Sequence, residues 1–250
     1  MFKKFLASVG IGKAKVDAIL LTEHFRPGDD FQVEVQIKGG DVEQELNGLE
    51  LAIMTSAKAE AEVGDDEVTY NKSVVLQHWH QELNLVIAPG EEISKTFTLT
   101  LHPETPITAV GYNNQAKVWL QTGLDIKNGI DGSDKDGLAV LPTDTQMAIL
   151  QAVEDLGYSL FKADVESGHL QGHGFGSILP CYQEFEFKPQ SSSFFGTKEI
   201  EVSMINDGHQ TGVLIELDRA FMGDSYKSVV VPNTVISPEQ AAQYLRRILD

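Results

Sequence analysis

The sequence predicts a mostly β protein built from antiparallel β-sandwiches. Residues 31–37 (Phe-Gln-Val-Glu-Val-Gln-Ile) alternate apolar and polar side chains, which is typical of a half-buried strand. The same alternation recurs at 49–53, 83–87 and 97–101, and turn sequences such as Arg-Pro-Gly-Asp at 26–29 separate such segments. Strands that follow one another without intervening helices indicate antiparallel sheets packed face to face.

Three short helices complete this prediction. An amphipathic helix is expected at the N-terminus, where apolar residues fall at helical spacing. A second helix is expected near 144–156, because Thr143 and Gln146 have the spacing of a capping box. A short C-terminal helix is expected after Ser237, with Ser as N-cap and Pro238 in the first turn.

The pattern divides the chain into four parts. Residues 1–12 form the N-terminal helix, and residues 13–124 form an N-terminal β-sandwich. Residues 125–141 are rich in aspartate and glycine, which predicts an acidic linker. Residues 142–250 form a C-terminal β-rich domain.

Composition restricts the class of function. The formal net charge of −18 opposes binding to nucleic-acid phosphates, so no nucleic-acid role is expected. Cys181 is the only cysteine, which excludes an intramolecular disulfide and favours a reducing compartment. No segment approaches the ~18 apolar residues that span a bilayer. We therefore expect a cytoplasmic protein.

Catalytic, metal-binding and cofactor motifs are not predicted. His78 and His80 lie on one side of a strand, a spacing that can share a metal ion, but the sequence shows no third ligand near them. His169 and His173 lie in a glycine-rich run, where a zinc site would need a ligand from elsewhere in the chain, and Cys181 is a remote candidate for it. The aspartates at 131–136 lack the first aspartate and the final glutamate of an EF-hand loop. We predict no catalytic residues, no metal and no cofactor.

Two groups of residues are candidate interaction sites. The first is the N-terminal helix, with Phe2, Lys3, Lys4 and Phe5 as its contact residues. The second is a polar cluster that locks the two halves together, in which aspartates of the linker pair with a cation. Its predicted members are Asp125, Asp131, Asp134, Arg26 and Arg219.

Several segments resemble known families. The turn and strand at 25–40 and the turn, strand and proline-bearing loop at 89–106 resemble the arrestin N-domain pattern. A more specific resemblance, to the bacterial sporulation-control SpoOM family, rests on four blocks that follow in order along most of the chain. These blocks are residues 2–17, residues 119–126, residues 156–164 and residues 179–187. The match is weaker after residue 220.

The resemblance implies two arrestin-like antiparallel β-sandwich halves, a regulatory role linked to sporulation, and no known catalytic residues. We therefore expect a non-enzymatic adaptor that acts through protein–protein contacts. Exposed sheet edges offer β-augmentation as the binding mode. A homodimer through such edges, and a weak membrane-surface contact through residues 1–9, are further expected arrangements. The alternative function is a carbohydrate- or small-molecule-processing β-sandwich enzyme that uses paired carboxylates.

Overall fold

The computed structural model describes residues 12–64, 66–127, 131–190, 197–219 and 225–249. The strands are β1 Lys15–Leu20, β2 Asp30–Lys38, β3 Gln44–Val63, β4 Asp66–Ile87, β5 Glu92–Thr100, β6 Val118–Ile126, β7 Gly132–Leu138, β8 Tyr158–Ser167, β9 Gln171–Gly172, β10 Phe175–Gly176, β11 Cys181–Pro189, β12 Thr197–Asn206, β13 Gln210–Arg219 and β14 Ser225–Pro232. The helices are α1 Asp144–Asp155 and α2 Pro238–Leu249. The mostly β fold class is confirmed, and the predicted N-terminal helix lies outside the described residues.

The N-terminal half is a sandwich of two layers. The first layer is an antiparallel sheet with the order β1-β2-β5. The second layer is formed by β4, β3, β6 and β7 in that order. The alternation predicted for residues 31–37 is confirmed, since Val33 and Val35 are buried in one core with Ile53 and Leu120 of the second layer. Burial of these apolar side chains, at about 25 cal/mol per Å², holds the layers together.

The C-terminal half is an antiparallel sheet with helices on one face. Its strand order is β8-β11-β12-β13-β14. Phe185 and Phe187 of β11 are buried in a core with Val153 of α1 and Leu245 of α2. The helices therefore form the second layer over this sheet, and the opposite face of the sheet carries the polar side chains of the strands.

Both predicted helix starts are confirmed. The Thr143 hydroxyl accepts the N–H of Gln146 at 3.2 Å, and the Gln146 side chain accepts the N–H of Thr143 at 2.9 Å. This reciprocal pair is the capping box predicted from the spacing of the two residues. At the start of α2, the N–H of Gln240 donates to the hydroxyl of Ser237 at 3.4 Å.

The two halves share one nine-stranded sheet. Its order is β14-β13-β12-β11-β8-β3-β6-β7, with β4 paired to β3. β3 and β8 meet in parallel at Lys58 and Glu166. A second connection involves Ile107, which follows β5 but is buried in the C-terminal core. The Gln183 side chain bonds to both the N–H and the C=O of Ile107, each at 2.8 Å.

The predicted linker over residues 125–141 is wrong for residues 132–138. These residues form β7, which pairs antiparallel with β6. Aspartate and glycine are common in turns, but here Asp134 and Asp136 are half-buried and alternate with exposed residues along the strand. Asp134 also accepts the N–H of Ala18 in β1 at 2.9 Å. The segment is therefore part of the N-terminal sandwich.

Candidate interaction face on the C-terminal sheet

The face of the C-terminal sheet opposite the helices is lined by carboxylates. The strand register sets Glu184 beside Asp164, and Glu201 beside both Glu186 and Glu216. Because side chains alternate between the two faces of a strand, the apolar neighbours of these residues point to the helices and the acids point away. We call this surface the acidic face. Its eight carboxylates are those of Asp164, Glu166, Glu184, Glu186, Glu199, Glu201, Glu216 and Asp218.

An ion-pair network connects the acidic face to the N-terminal half. Lys58 of β3 pairs with Asp164 and lies 3.4 Å from Oε1 of Glu166. Lys162 of β8 lies 2.5 Å from both Asp164 Oδ2 and Glu186 Oε1. Asp164 is 3% exposed, and two ammonium groups compensate its charge. Burial alone would raise the pKa of Asp164, but hydrogen bonds from Lys162 and Lys58 outweigh burial and lower it.

Two glutamates of the acidic face have strongly raised pKa values. Burial and repulsion from Glu201, Glu166 and Asp164 raise the pKa of Glu184 to about 8. Burial and repulsion from Glu216 and Glu186 raise the pKa of Glu201 to about 7. Both effects disfavour the ionised form. Both side chains are therefore at least partly protonated at neutral pH. The other six carboxylates of the acidic face still outnumber Lys58 and Lys162, the two lysines that pair with them among the described residues.

The acidic face has two features that could hold a small ligand. Oxygens of Asp164, Glu166 and Glu184 lie within 4.8 Å of one another, a set that suits Ca²⁺ or Mg²⁺. Lys58 and Lys162 already compensate Asp164, and they would compete with such an ion. The second feature is a depression of about 190 Å³ lined by Glu199, Glu201, Glu216 and Asp218. It is smaller than the ~300–1,000 Å³ of typical ligand pockets.

The β9–β10 hairpin covers one end of the same sheet face. The Phe175 ring occupies the space that a side chain at Gly212 would fill. The N–H of His173 donates to the Ser228 hydroxyl at 3.0 Å.

Cys181 is 1% exposed, and burial raises the pKa of its thiol to about 11. This thiol is therefore protonated and unreactive at neutral pH.

The structure does not assemble the predicted polar cluster as one group. Asp131 accepts the N–H of Ile126 at 3.1 Å, and Asp125 accepts from the Asn47 amide at 3.2 Å. Asp134 is bonded to β1 through the N–H of Ala18. These aspartates are thus used to fix the β6–β7 hairpin inside the N-terminal sandwich.

The predicted cations of that cluster have other positions. Arg26 pairs with Asp144, the first residue of α1, at 2.8 Å. This pair joins the two halves, but Asp144 is not one of the predicted members of the cluster. Arg219 is the last residue of β13, opposite Thr197, and its side chain lies outside the described residues. Phe2, Lys3, Lys4 and Phe5 also lie outside them.

Sequence reasoning missed the lysine and aspartate that do connect the halves. Lys58 lies in a run of alanine, lysine and glutamate that has low strand propensity, and Asp164 is 106 residues away in sequence. The alternation of charged and apolar residues along β11 was the available signal for the acidic face. It indicates which side chains of that one strand share a face, but it does not show that β8, β12 and β13 present acids beside them.

The mostly β fold, with two parts that share one sheet, places the chain in the arrestin-like class of proteins. The family model described as SpoOM protein matches residues 2–221. The sporulation-control protein spo0M of Bacillus subtilis (strain 168) is 36% identical over 223 residues, which cover 89% of this chain and 82% of that protein. The chain belongs to the SpoOM family.

The fold comparison agrees with this assignment. The crystal structure of Spo0M, a sporulation control protein from Bacillus subtilis, matches with a TM-score of 0.83 at 32% identity, covering 96% of this chain and 99% of that one. The resemblance drawn from the four sequence blocks is confirmed, including its weakening near residue 220. The homology supports a regulatory role.

Within the described ranges, neither α1 nor α2 has the length and apolar character needed to cross a bilayer.

Proposed function

We propose that this chain is a cytoplasmic, non-enzymatic regulator that acts by binding a protein partner on its acidic face. The observation that carries the proposal is the uncompensated charge of this face. Eight carboxylates share this face through the strand register, and two lysines, Lys58 and Lys162, pair with them among the described residues. Crowding among these acids contributes to the raised pKa values of Glu184 and Glu201. A cationic partner segment would reduce the repulsion between these carboxylates. The arrangement therefore favours a role of the acidic face in binding rather than in stability.

The chemistry of the face defines the kind of partner. Glu199, Glu201, Glu216 and Asp218 lie on adjacent strands, with Glu201 opposite Glu216 and Glu199 opposite Asp218. Lysine or arginine side chains spaced along an extended segment fit this arrangement. Such an interaction weakens at high ionic strength, because salt screens charges that remain accessible to solvent.

A sheet edge lies close to this face. Among the residues that the structure describes, β14 is the last strand of the nine-stranded sheet and pairs with β13 on one side. An extended partner segment can add to the other side by β-augmentation, while its basic side chains contact the acidic face. Contacts through residues 2–5, a homodimer and a weak membrane-surface contact remain part of the proposal.

The enzyme alternative has one observation in its favour, the depression lined by four carboxylates. Paired carboxylates can serve as acid and base in glycoside hydrolysis. The small volume of the depression and the regulatory homology favour the adaptor function instead.

The test compares partner capture by three forms of the chain. The wild type, the Glu201→Gln/Glu216→Gln variant and a control variant, Glu60→Gln/Glu62→Gln on the exposed part of β3, are used to capture proteins from native lysate at low and high salt. We expect a protein that the wild type and the control retain at low salt, and that the acidic-face variant loses. Identical capture by all three forms would contradict the proposal.

A further inference from the structure

Two histidines and a glutamate form a cluster on the outer face of the N-terminal half. Glu50 of β3 lies directly opposite His80 of β4, and His78 lies opposite Ala52. Side chains two residues apart in a strand point to the same side, so both imidazoles stand beside the Glu50 carboxylate. Oε2 of Glu50 is 2.5 Å from Nε2 of His78, and Oε1 contacts Nδ1 of His80.

We propose that His78, His80 and Glu50 bind a divalent transition-metal ion of the zinc type. Two imidazoles and one carboxylate are a donor set that Zn²⁺ uses at sites with an open coordination position. Nitrogen donors favour Zn²⁺, Ni²⁺ or Cu²⁺ over Ca²⁺ and Mg²⁺, which take oxygen ligands. On binding, both rings turn from separate carboxylate oxygens to one shared ion, and water completes the coordination.

The sheet fixes the positions of the three ligands. β3 lies between β4 and β6, with Glu50 opposite Gly123 of β6. On the other face of β3, Leu49 and Leu51 are each 2% exposed in the core. The Cα atoms that carry the ligands are therefore held in place before an ion arrives, which lowers the ordering cost of binding.

Gly48 leaves the space that the His80 ring needs. A Cβ atom at Gly48 would lie 2.7 Å from Cε1 of His80, so the ring occupies the volume of the missing side chain. A Cβ atom at Gly123 would lie 3.5 Å from Cβ of Glu50, which is an ordinary van der Waals contact. Glycine weakens a strand interior and is often found where another group approaches closely. Here both glycines flank the proposed site.

The contacts that a metal ion would replace are weak ones. The side chains of His78, His80 and Glu50 are 54%, 47% and 40% exposed, and exposed ion pairs contribute little to stability.

Calorimetric titration of the full chain with Zn²⁺ tests the proposal. We expect one saturable site per chain in the wild type and in His169→Ala, a control that removes an exposed histidine elsewhere. The His78→Ala/His80→Ala variant should lose the site. Glu50→Gln should weaken it by about tenfold or more, since even changes outside the ligand set cost that much. Circular dichroism should be the same for all forms.

Two further variants distinguish this site from zinc binding at the acidic face. Glu184→Gln should keep Zn²⁺ binding, because it alters only the carboxylate group of the acidic face. Gly48→Ala should weaken binding although all three ligands remain, because its Cβ displaces the His80 ring. Binding that survives loss of both histidines, or that is lost in Glu184→Gln, would assign the ion to the acidic face and overturn the proposal. Absence of saturable binding to the wild type would overturn it as well.

Discussion

Lys58 of β3 and Asp164 of β8 form an ion pair at the point where the N-terminal and C-terminal parts of the shared sheet meet. Asp164 is almost fully buried and shares its charge between Lys58 and Lys162. A buried carboxylate needs such partners, because its desolvation is costly. The pair therefore couples the stability of β8 to the position of β3.

Replacement of Lys58 by methionine tests this coupling. Lys58→Met leaves Asp164 with one ammonium partner, and loss of a hydrogen bond to a charged group costs about 1–3 kcal/mol. For a chain of this size, each kcal/mol lowers Tm by roughly 2–4 °C. Thermal unfolding measures the effect, with Lys72→Met on the exposed part of β4 as the control. Equal Tm values for the two variants would show that the pair does not stabilise the junction.

The raised pKa of Glu184 implies that the stability of the fold depends on pH. Its pKa is raised from an ordinary 4.5 to about 8 in the folded chain, through burial and the acids of β8, β12 and β13. Between these values the folded chain binds more protons than the unfolded chain, so this group destabilises the fold as pH rises.

Glu184→Gln should therefore raise Tm above about pH 8 and leave it nearly unchanged below about pH 4.5. A gain of about 1 kcal/mol corresponds to roughly 2–4 °C. Thermal unfolding across this pH range measures the difference from the wild type. Glu67→Gln, on the exposed part of β4, should show no such pH-dependent gain. An equal gain in Tm for Glu184→Gln at low and at high pH would contradict the raised pKa of Glu184.

The hydrogen bonds between Gln183 and Ile107 are a second connection between the halves, and their removal should lower stability there. Gln183→Leu removes both hydrogen bonds to Ile107 and leaves its buried N–H without a partner, at about 1–3 kcal/mol. The C=O of Ile107 keeps the hydrogen bond that the Asn114 amide donates at 3.0 Å. Hydrogen exchange should accelerate around residues 105–109. The control Gln151→Leu alters an exposed position on α1 and should leave this exchange unchanged. Unchanged exchange in Gln183→Leu would mean that the segment is held by its apolar contacts alone.

Replacement of Arg26 should affect stability less than replacement of Lys58. Its pair with Asp144 is exposed, with side chains 42% and 66% accessible, and exposed pairs contribute at most about 1 kcal/mol. Arg26→Gln should thus change Tm less than Lys58→Met does. A larger loss would make Arg26 the main connection between the halves.

Local features of the fold could be predicted from the sequence. The period of two over residues 31–37 is a property of one strand, and the capping box needs only Thr143 and Gln146. Both act over short distances, and both are confirmed. The full lengths of β3 and β4 could not be predicted, because residues 57–62 alternate alanine with charged side chains that have weak strand preference.

The groups of polar side chains could not be predicted from the sequence, because they form through pairing between distant strands. Asp134 and Asp136 have the composition of a loop, and only the neighbouring β6 and β1 show them to be in a strand. Glu50 could not be connected to His78 and His80 until the register of β3 and β4 was known. Strand register between distant segments is set by tertiary packing, which a local pattern does not specify.

Photo-crosslinking in the source cells tests the central claim most directly. A photoreactive amino acid replaces Tyr226, which is exposed on the acidic face opposite Glu216. As the control, it replaces the exposed Gln36 on the three-stranded sheet. We expect a crosslinked protein partner from position 226 and none from position 36. Crosslinking from position 36 alone would contradict the claim that the acidic face binds the partner.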